Sequence, residues 1–202
     1  MIERCCWGRF KVFETNDLHT NMCGCGSRAL FWKQHFVVYK VPALVGSVSA
    51  YTDCDVEFDD SGSGVEVTDD RPAVPGYKVE KKAEADEAIS IVLKHFNLDP
   101  MKRGIKIHFG GDLTAVSGIG ASAAQVVALS RAIGVADQMN LSDEAVNAAG
   151  YEGEKGYHGT PSGIDNTAAT YGGLLKFQRT EGVSTAGTVL FFFFFFLHAG
   201  SK

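Results

Sequence analysis

A glycine-rich segment followed by small residues is the strongest chemical signal in this sequence. It covers residues 116–124 and reads VSGIGASAA. Gly118 and Gly120 permit a positive φ and a close backbone approach, while the N–H groups and dipole at the start of a helix favour an anion. Ser122 would add a hydroxyl for a phosphate-bound Mg²⁺. The segment lacks the Gly-Lys-Ser/Thr spacing of a Walker loop. It equally suits a tightly packed helix of small residues that binds nothing.

Two carboxylates separated by a loop form the second signal. Glu154 and Asp165 stand on either side of a segment that contains Pro161 and Gly163, and such a loop can fold a helix end back onto the residues that follow. Phosphoryl transfer uses one carboxylate on the metal and another near the attacking hydroxyl. The alternative is structural, with Asp165 closing an Asx turn and Glu154 serving as a solvated helix charge.

Composition and charge argue against several classes of protein. The 202 residues are 45% hydrophobic and 21% charged, as is ordinary for a globular domain. The formal net charge of -5 argues against nucleic-acid binding, which needs a basic face. The longest apolar run, residues 189–197, is shorter than the ~20 residues of a membrane-spanning helix. The five cysteines are odd in number and clustered early, which favours free thiols in the cytoplasm over disulfides or zinc.

Hydrophobic periodicity predicts strands early in the chain and helices later. The predicted strands cover residues 36–39, 43–51, 54–58, 65–67, 104–109 and 170–177. A helix is predicted over 85–96, a glycine loop followed by an Ala-rich helix over 118–133, and a third helix is capped near Ser142. This order indicates an α+β fold class.

Both ends of the chain fit this pattern poorly. Residues 1–27 have no sustained periodicity, and residues 191–196 are six consecutive phenylalanines, an aggregation hazard if exposed. The predicted organisation is therefore an unassigned leader over residues 1–27, a domain over 28–178 and an aberrant low-complexity tail over 179–202.

The order of strand, glycine loop, helix and two carboxylates resembles the GHMP small-molecule kinases, which include galactokinase and homoserine, mevalonate and phosphomevalonate kinases. Residues 158–173, HGTPSGIDNTAATYGG, are similar to the mevalonate kinases in particular. The segments HFVVY at 35–39, PALV at 42–45 and YTDC at 51–54 are also similar, most closely to trypanosomatid-like sequences. The likeness covers residues 28–178.

The resemblance implies a fold and an activity. The fold would be the GHMP kinase amino-terminal domain, which is ribosomal protein S5 domain 2-like, without the carboxy-terminal domain. The activity would be the ATP- and Mg²⁺-dependent phosphorylation of the 5-hydroxyl of mevalonate in isoprenoid and sterol biosynthesis. By the same resemblance the protein would form a homodimer in the cytoplasm.

Site roles follow from the resemblance position by position. Ser122 and Glu154 would hold Mg²⁺, and Asp165 would orient or deprotonate the mevalonate hydroxyl. Arg28 stands where the catalytic lysine belongs, and His35 stands where the family has a substrate-side histidine, with a half-buried strand histidine as the alternative. The ATP phosphates would be wrapped by Val116, Ser117, Gly118, Ile119, Gly120, Ala121 and Ser122.

The first family motif, Gly-Lys-x-x-Leu-x-Gly-Glu-His, is altered in this chain. Aligned on His35, it places Ser27 and Arg28 at the Gly and Lys positions, and Lys33 and Gln34 at the Gly and Glu positions. The planar guanidinium of an arginine does not replace a compact ammonium. The third family motif, a glycine loop of the carboxy-terminal domain, has no counterpart here. We therefore expect weak or absent catalysis; the alternative is a non-catalytic remnant that binds ATP or a partner.

Overall fold

The computed structural model describes residues 22–25, 30–32, 42–47, 49–116, 118–179 and 190–191. Three of the predicted site residues, Arg28, His35 and Ser117, lie outside these ranges. The predicted strand over residues 36–39 and most of the phenylalanine run also lie outside them.

Eight strands and five helices are present in the described ranges. In chain order they are β1 Met22–Cys25, β2 Leu30–Trp32, β3 Ala43–Gly46, β4 Thr52–Asp59, β5 Val65–Asp69, α1 Tyr77–Glu80, α2 Lys82–His95, β6 Gly104–Gly111, α3 Ala121–Ala136, α4 Asp143–His158, α5 Ile164–Tyr171, β7 Leu174–Phe177 and β8 Leu190–Phe191. The predicted α+β class is confirmed. None of the helices in these ranges has the length and hydropathy needed to cross a membrane.

The strands form two four-stranded sheets. The first has the order β1-β4-β6-β5 and the second has the order β2-β3-β7-β8. Strand β6 pairs antiparallel with β4 and parallel with β5, so it lies between two strands that are consecutive along the chain. The polar turn at residues 59–64 therefore does not close a hairpin. A parallel pair needs a long crossover, and α2 supplies it between β5 and β6.

The main core lies between the first sheet and helices α2 and α3. Strand β6 shows why the sheet has an inner and an outer face, because Ile105, Ile107 and Phe109 are buried while Lys106 is exposed and His108 is half-buried. The inward residues pack against buried apolar side chains of both helices, including Val92 and Leu129. The alternation that predicted a half-buried strand is thus confirmed. Strand β6 ends at Gly111, nine residues before Gly120, the N-cap of α3.

The end of α5 corrects one sequence-based expectation. Thr170 and Tyr171 belong to this helix, whereas the sequence predicted a strand from residue 170 onward. Gly172 and Gly173 follow with φ of 66° and 70°, conformations that end a helix and redirect the chain. The strand therefore begins only at Leu174. The predicted cap of α4 is confirmed, since the Ser142 side chain accepts a hydrogen bond from the N–H of Ala145 at 3.3 Å.

Helix α4 approaches its neighbours so closely that three of its positions leave no room for a Cβ. Gly150, Gly153 and Gly156 recur every third residue and share a face. A Cβ at Gly153 would lie 2.7 Å from the Val92 side chain and 2.9 Å from that of Val126. One at Gly156 would lie 2.5 Å from the backbone N of Ala88 in α2. The glycines therefore set how near α4 lies to both α2 and α3.

We expect Gly156→Ala to lower the free energy of unfolding by about 1–3 kcal/mol, as overpacking does. The added methyl meets backbone atoms of α2, which cannot rotate away, so the ~1 kcal/mol gain in helix propensity is outweighed. Urea unfolding followed by circular dichroism measures the change. Gly110→Ala is the control, since its Cβ would lie 3.6 Å from the nearest heavy atom. Unchanged stability in the Gly156 variant would contradict the close contact of α2 and α4.

Candidate active site

The glycine loop lies directly before α3, as the sequence predicted. Residues 118–120 form a turn, and Gly118 and Gly120 have φ of 81° and 72°. Gly120 is the N-cap, and no side chain caps the helix. The first N–H groups of α3 are therefore not engaged by a capping side chain, and together with the helix dipole they favour an anion.

A cavity of about 200 Å³ borders this loop. Residues from both predicted motifs line it, because the loop supplies one set of atoms and the region from α4 to α5 supplies the other. The lining residues are Tyr77, Lys81, Val116, Gly118, Gly120, Ala121, Ser122, Tyr157, His158 and Asp165. The fold thus brings Asp165 to the glycine loop although 45 residues separate Gly120 from Asp165 in the sequence.

Glu154 is held against the first turn of α3. Its side chain is 2% exposed, and the Ser122 hydroxyl lies near its carboxyl group. Burial raises the pKa of Glu154 to about 8; the Ser122 hydroxyl acts in the opposite direction, and the nearby charge of Asp165 raises the pKa further. Ser122, Glu154 and Asp165 therefore converge on one location.

His158 adds a ring that the sequence analysis did not assign. Its Nε2 lies 3.4 Å from Ser122 Oγ and 3.8 Å from Glu154 Oε2. Burial, together with the charge of Lys81, lowers the pKa of His158, which disfavours a cationic ring beside Glu154. One feature of the sequence could have pointed to His158: it follows Glu154 by four residues, and this spacing places both side chains on one face of α4.

The arrangement at Glu154 fits a divalent cation. Its Oε1 is buried without a hydrogen-bond partner, and a buried carboxylate in that state is costly unless it is protonated or a cation meets it. Magnesium prefers oxygen ligands and commonly uses one or two protein groups together with substrate phosphates. The Glu154 carboxylate and the Ser122 hydroxyl, next to a loop suited to phosphate, are the residues that would hold it.

Asp165 lies in the first turn of α5, where neighbouring residues fix its direction. Gly163 precedes the helix with φ of 86°, and the Thr167 hydroxyl donates to the Gly163 carbonyl at 2.6 Å. The Asn166 amide donates to Asn147 Oδ1 at 2.6 Å, tying α5 to α4. Burial raises the pKa of Asp165 to about 6. The carboxylate is therefore mostly ionised at pH 7 but more basic than an exposed one, as suits a general base.

Tyr77 and Lys81 are further cavity residues that sequence reasoning missed. They lie in α1 and at the α1–α2 junction, and the Lys81 ammonium pairs with Glu84 at 2.9 Å. No motif surrounds either residue, so only the packing of α2 against α4 shows that they reach the glycine loop. The roles of Arg28, His35 and Ser117 stay predictions, because these residues lie outside the described ranges.

Comparison with known proteins agrees with the fold. Residues 83–173 match the family model of the GHMP kinases N terminal domain. Residues 83–173 thus form a GHMP kinase amino-terminal domain. One similar solved structure is the crystal structure of L. major mevalonate kinase in complex with R-mevalonate. Its chain superposes on this one with a TM-score of 0.76 and is 44% identical in sequence. The superposed region covers 82% of this chain and 50% of that one.

Curated mevalonate kinases from other organisms are also similar. The protein of Thermococcus sibiricus is 27% identical over 168 residues, which are 76% of this chain and 50% of the relative. The protein of Arabidopsis thaliana is 43% identical over 79 residues, or 32% of this chain. The chain thus spans about half the length of the curated relatives from Thermococcus that it matches. These proteins are homologues of the GHMP domain described above.

The buried Glu154 predicts a specific dependence of stability on pH. Its pKa is raised from 4.5 to about 8 on folding, so the folded state binds the proton more tightly than the unfolded chain does. Its contribution to stability is therefore full below pH 4.5 and is lost as the pH rises toward 8. The loss reaches at most ~1.4 kcal/mol per pH unit. Glu154→Gln should remove this loss.

Urea unfolding of the wild type and of Glu154→Gln between about pH 5 and pH 8.5, without Mg²⁺, measures the effect. We expect the variant to gain stability relative to the wild type as the pH increases. Glu87→Gln, an exposed position in α2, should follow the wild-type curve. Parallel curves for the wild type and Glu154→Gln would contradict the buried, unpaired carboxylate.

Proposed function

We propose that this domain binds ATP and Mg²⁺ for the phosphorylation of the 5-hydroxyl of mevalonate. The observation that carries the proposal is the buried carboxyl group of Glu154 next to Ser122 at the glycine loop, with Asp165 at the same cavity. The 44% identity to L. major mevalonate kinase over 82% of this chain supports mevalonate as the acceptor, because that protein was crystallised with R-mevalonate.

The nucleotide side of the reaction is assigned to α3 and the loop before it. Backbone N–H groups around Gly118, Gly120 and Ala121 would bind the phosphates of ATP, since this turn has no capping side chain. Ser122 and Glu154 would hold Mg²⁺, which, when bound, neutralises charge that develops on the phosphates. The position of Glu154 one turn before the end of α4 keeps its carboxylate beside that loop.

The acceptor side of the reaction is assigned to Asp165. Its carboxylate would accept the proton of the mevalonate hydroxyl while the hydroxyl oxygen forms a bond to the γ-phosphorus and the bond to the ADP oxygen breaks. Burial keeps the pKa of Asp165 at about 6, which favours proton transfer near neutral pH. The sequence also predicts that Arg28 and His35 belong to the acceptor side of the site. The homodimer and the cytoplasmic location also stay predictions.

The magnesium assignment can be tested by the binding of ADP with and without Mg²⁺. We expect Ser122→Ala and Glu154→Gln to weaken binding about tenfold or more in the presence of Mg²⁺ and to change metal-free binding less than about twofold, as loss of a metal ligand does. Isothermal titration calorimetry gives both constants. Ser130→Ala is the control, since its hydroxyl bonds to Val126 within α3. Equal losses with and without Mg²⁺ would contradict the assignment.

We expect mevalonate phosphorylation by this 202-residue chain to be very slow. Replacing the lysine of the first motif by Arg28 removes a positioned ammonium, and loss of one positioned group typically costs about 100-fold to 1,000-fold in rate. Coupled detection of ADP release with ATP, Mg²⁺ and mevalonate measures it, with Asp165→Asn as the blank. Arg28→Lys should raise the rate above that blank. Wild-type turnover near ~10 s⁻¹, abolished by Asp165→Asn, would refute the expectation of weak catalysis.

A further inference from the structure

A second contact between α3 and α4 lies next to the Ser122–Glu154 pair. Gln125 Oε1 accepts a hydrogen bond from the Tyr157 hydroxyl at 2.7 Å and another from Arg71 Nη2 at 2.9 Å. Gln125 is 4% exposed. A buried amide oxygen that accepts two hydrogen bonds has little freedom to move, because losing either one leaves a buried donor unpaired.

The two contacts are related by one helical turn on each helix. Gln125 follows Ser122 by three residues in α3, and Tyr157 follows Glu154 by three residues in α4. Residues three apart share a helix face, so the Gln125–Tyr157 hydrogen bond and the Ser122–Glu154 contact follow one another along the same two helices. Any slide or rotation of α4 relative to α3 would change both contacts together.

Arg71 connects this second link to the edge of the first sheet. Its guanidinium donates to both carboxylate oxygens of Asp69, at 3.0 and 2.7 Å, and it lies 5.3 Å from the ring centre of Phe109. Lys78 in α1 donates to the Asp69 carbonyl at 2.6 Å. A bidentate Arg–Asp pair with a buried guanidinium is geometrically restrictive. It anchors Gln125 to the end of β5.

From this geometry we propose that Gln125 and Tyr157 are positioning residues, which set the relation of Ser122 to Glu154 and thereby the affinity for Mg²⁺. The inference rests on the proposed function, since it concerns the same magnesium position. The glycines of α4 support it, because at Gly153 the helix lies so near Val126 that these short links can form. Neither Gln125 nor Tyr157 is assigned as a ligand. They act through the spacing of the two helices.

Tyr157→Phe is the sharpest test, because it removes only the hydroxyl and keeps the ring in place. We expect ADP binding in the presence of Mg²⁺ to weaken about tenfold and metal-free ADP binding to change less than about twofold, as for the loss of groups that orient metal ligands. Gln125→Met removes the shared acceptor with a side chain of similar length and should give the same or a larger loss. Calorimetry supplies the constants, and urea unfolding verifies that each variant is folded.

Tyr151→Phe is the matched control, since Tyr151 lies in the same helix with its ring near the Lys155 ammonium instead of the cavity. It should leave both constants unchanged. Equal weakening with and without Mg²⁺ in Tyr157→Phe would overturn the inference, because it would show direct contact with the nucleotide. Full Mg²⁺-dependent affinity in both test variants would overturn it and leave the proposed function standing. A wild type that binds ADP equally with and without Mg²⁺ would overturn both.

Discussion

The close approach of α4 to α2 and α3 is the constraint on which the rest of the domain depends. Three glycines at three-residue spacing permit it, and at Gly156 even a methyl group would meet the backbone of α2. Because the helices are this near, Glu154 lies next to Ser122, and the Tyr157 hydroxyl reaches Gln125. The same packing that builds the core also builds the site.

This packing leaves the site electrostatically unbalanced. Burial raises the pKa of both Glu154 and Asp165, and the nearest ring, that of His158, has a lowered pKa and stays neutral at pH 7. Two carboxylates that are hard to ionise lie beside a loop whose N–H groups favour an anion. A cation and a phosphate together would balance both features, whereas either one alone would leave part of the site unsatisfied. Strain of this kind, tolerated because the surrounding fold is stable, is typical of functional sites.

Features that depend on a few neighbouring residues could be predicted from the sequence. Gly118 and Gly120 indicated a loop with positive φ before a helix, the apolar alternation of β6 indicated an inner and an outer face, and Ser142 indicated the start of α4. The position of β5 could not be predicted in this way. It pairs with β6 and not with β4, the strand that precedes it in the sequence. This pairing depends on where α2, which connects β5 to β6, packs against the sheet.

The sequence by itself determined which residues could do chemistry and that they belong to a GHMP kinase domain. Only the tertiary structure decided which of them are buried and which meet. Whether a glutamate of a polar helix is solvated or desolvated depends on what packs around it, and those neighbours come from distant parts of the chain. Glu154 had one sequence-based interpretation as a solvated helix charge, yet it is 2% exposed. No sequence motif marked Gln125 or Tyr157, because their hydrogen bond forms only where α3 and α4 pack together.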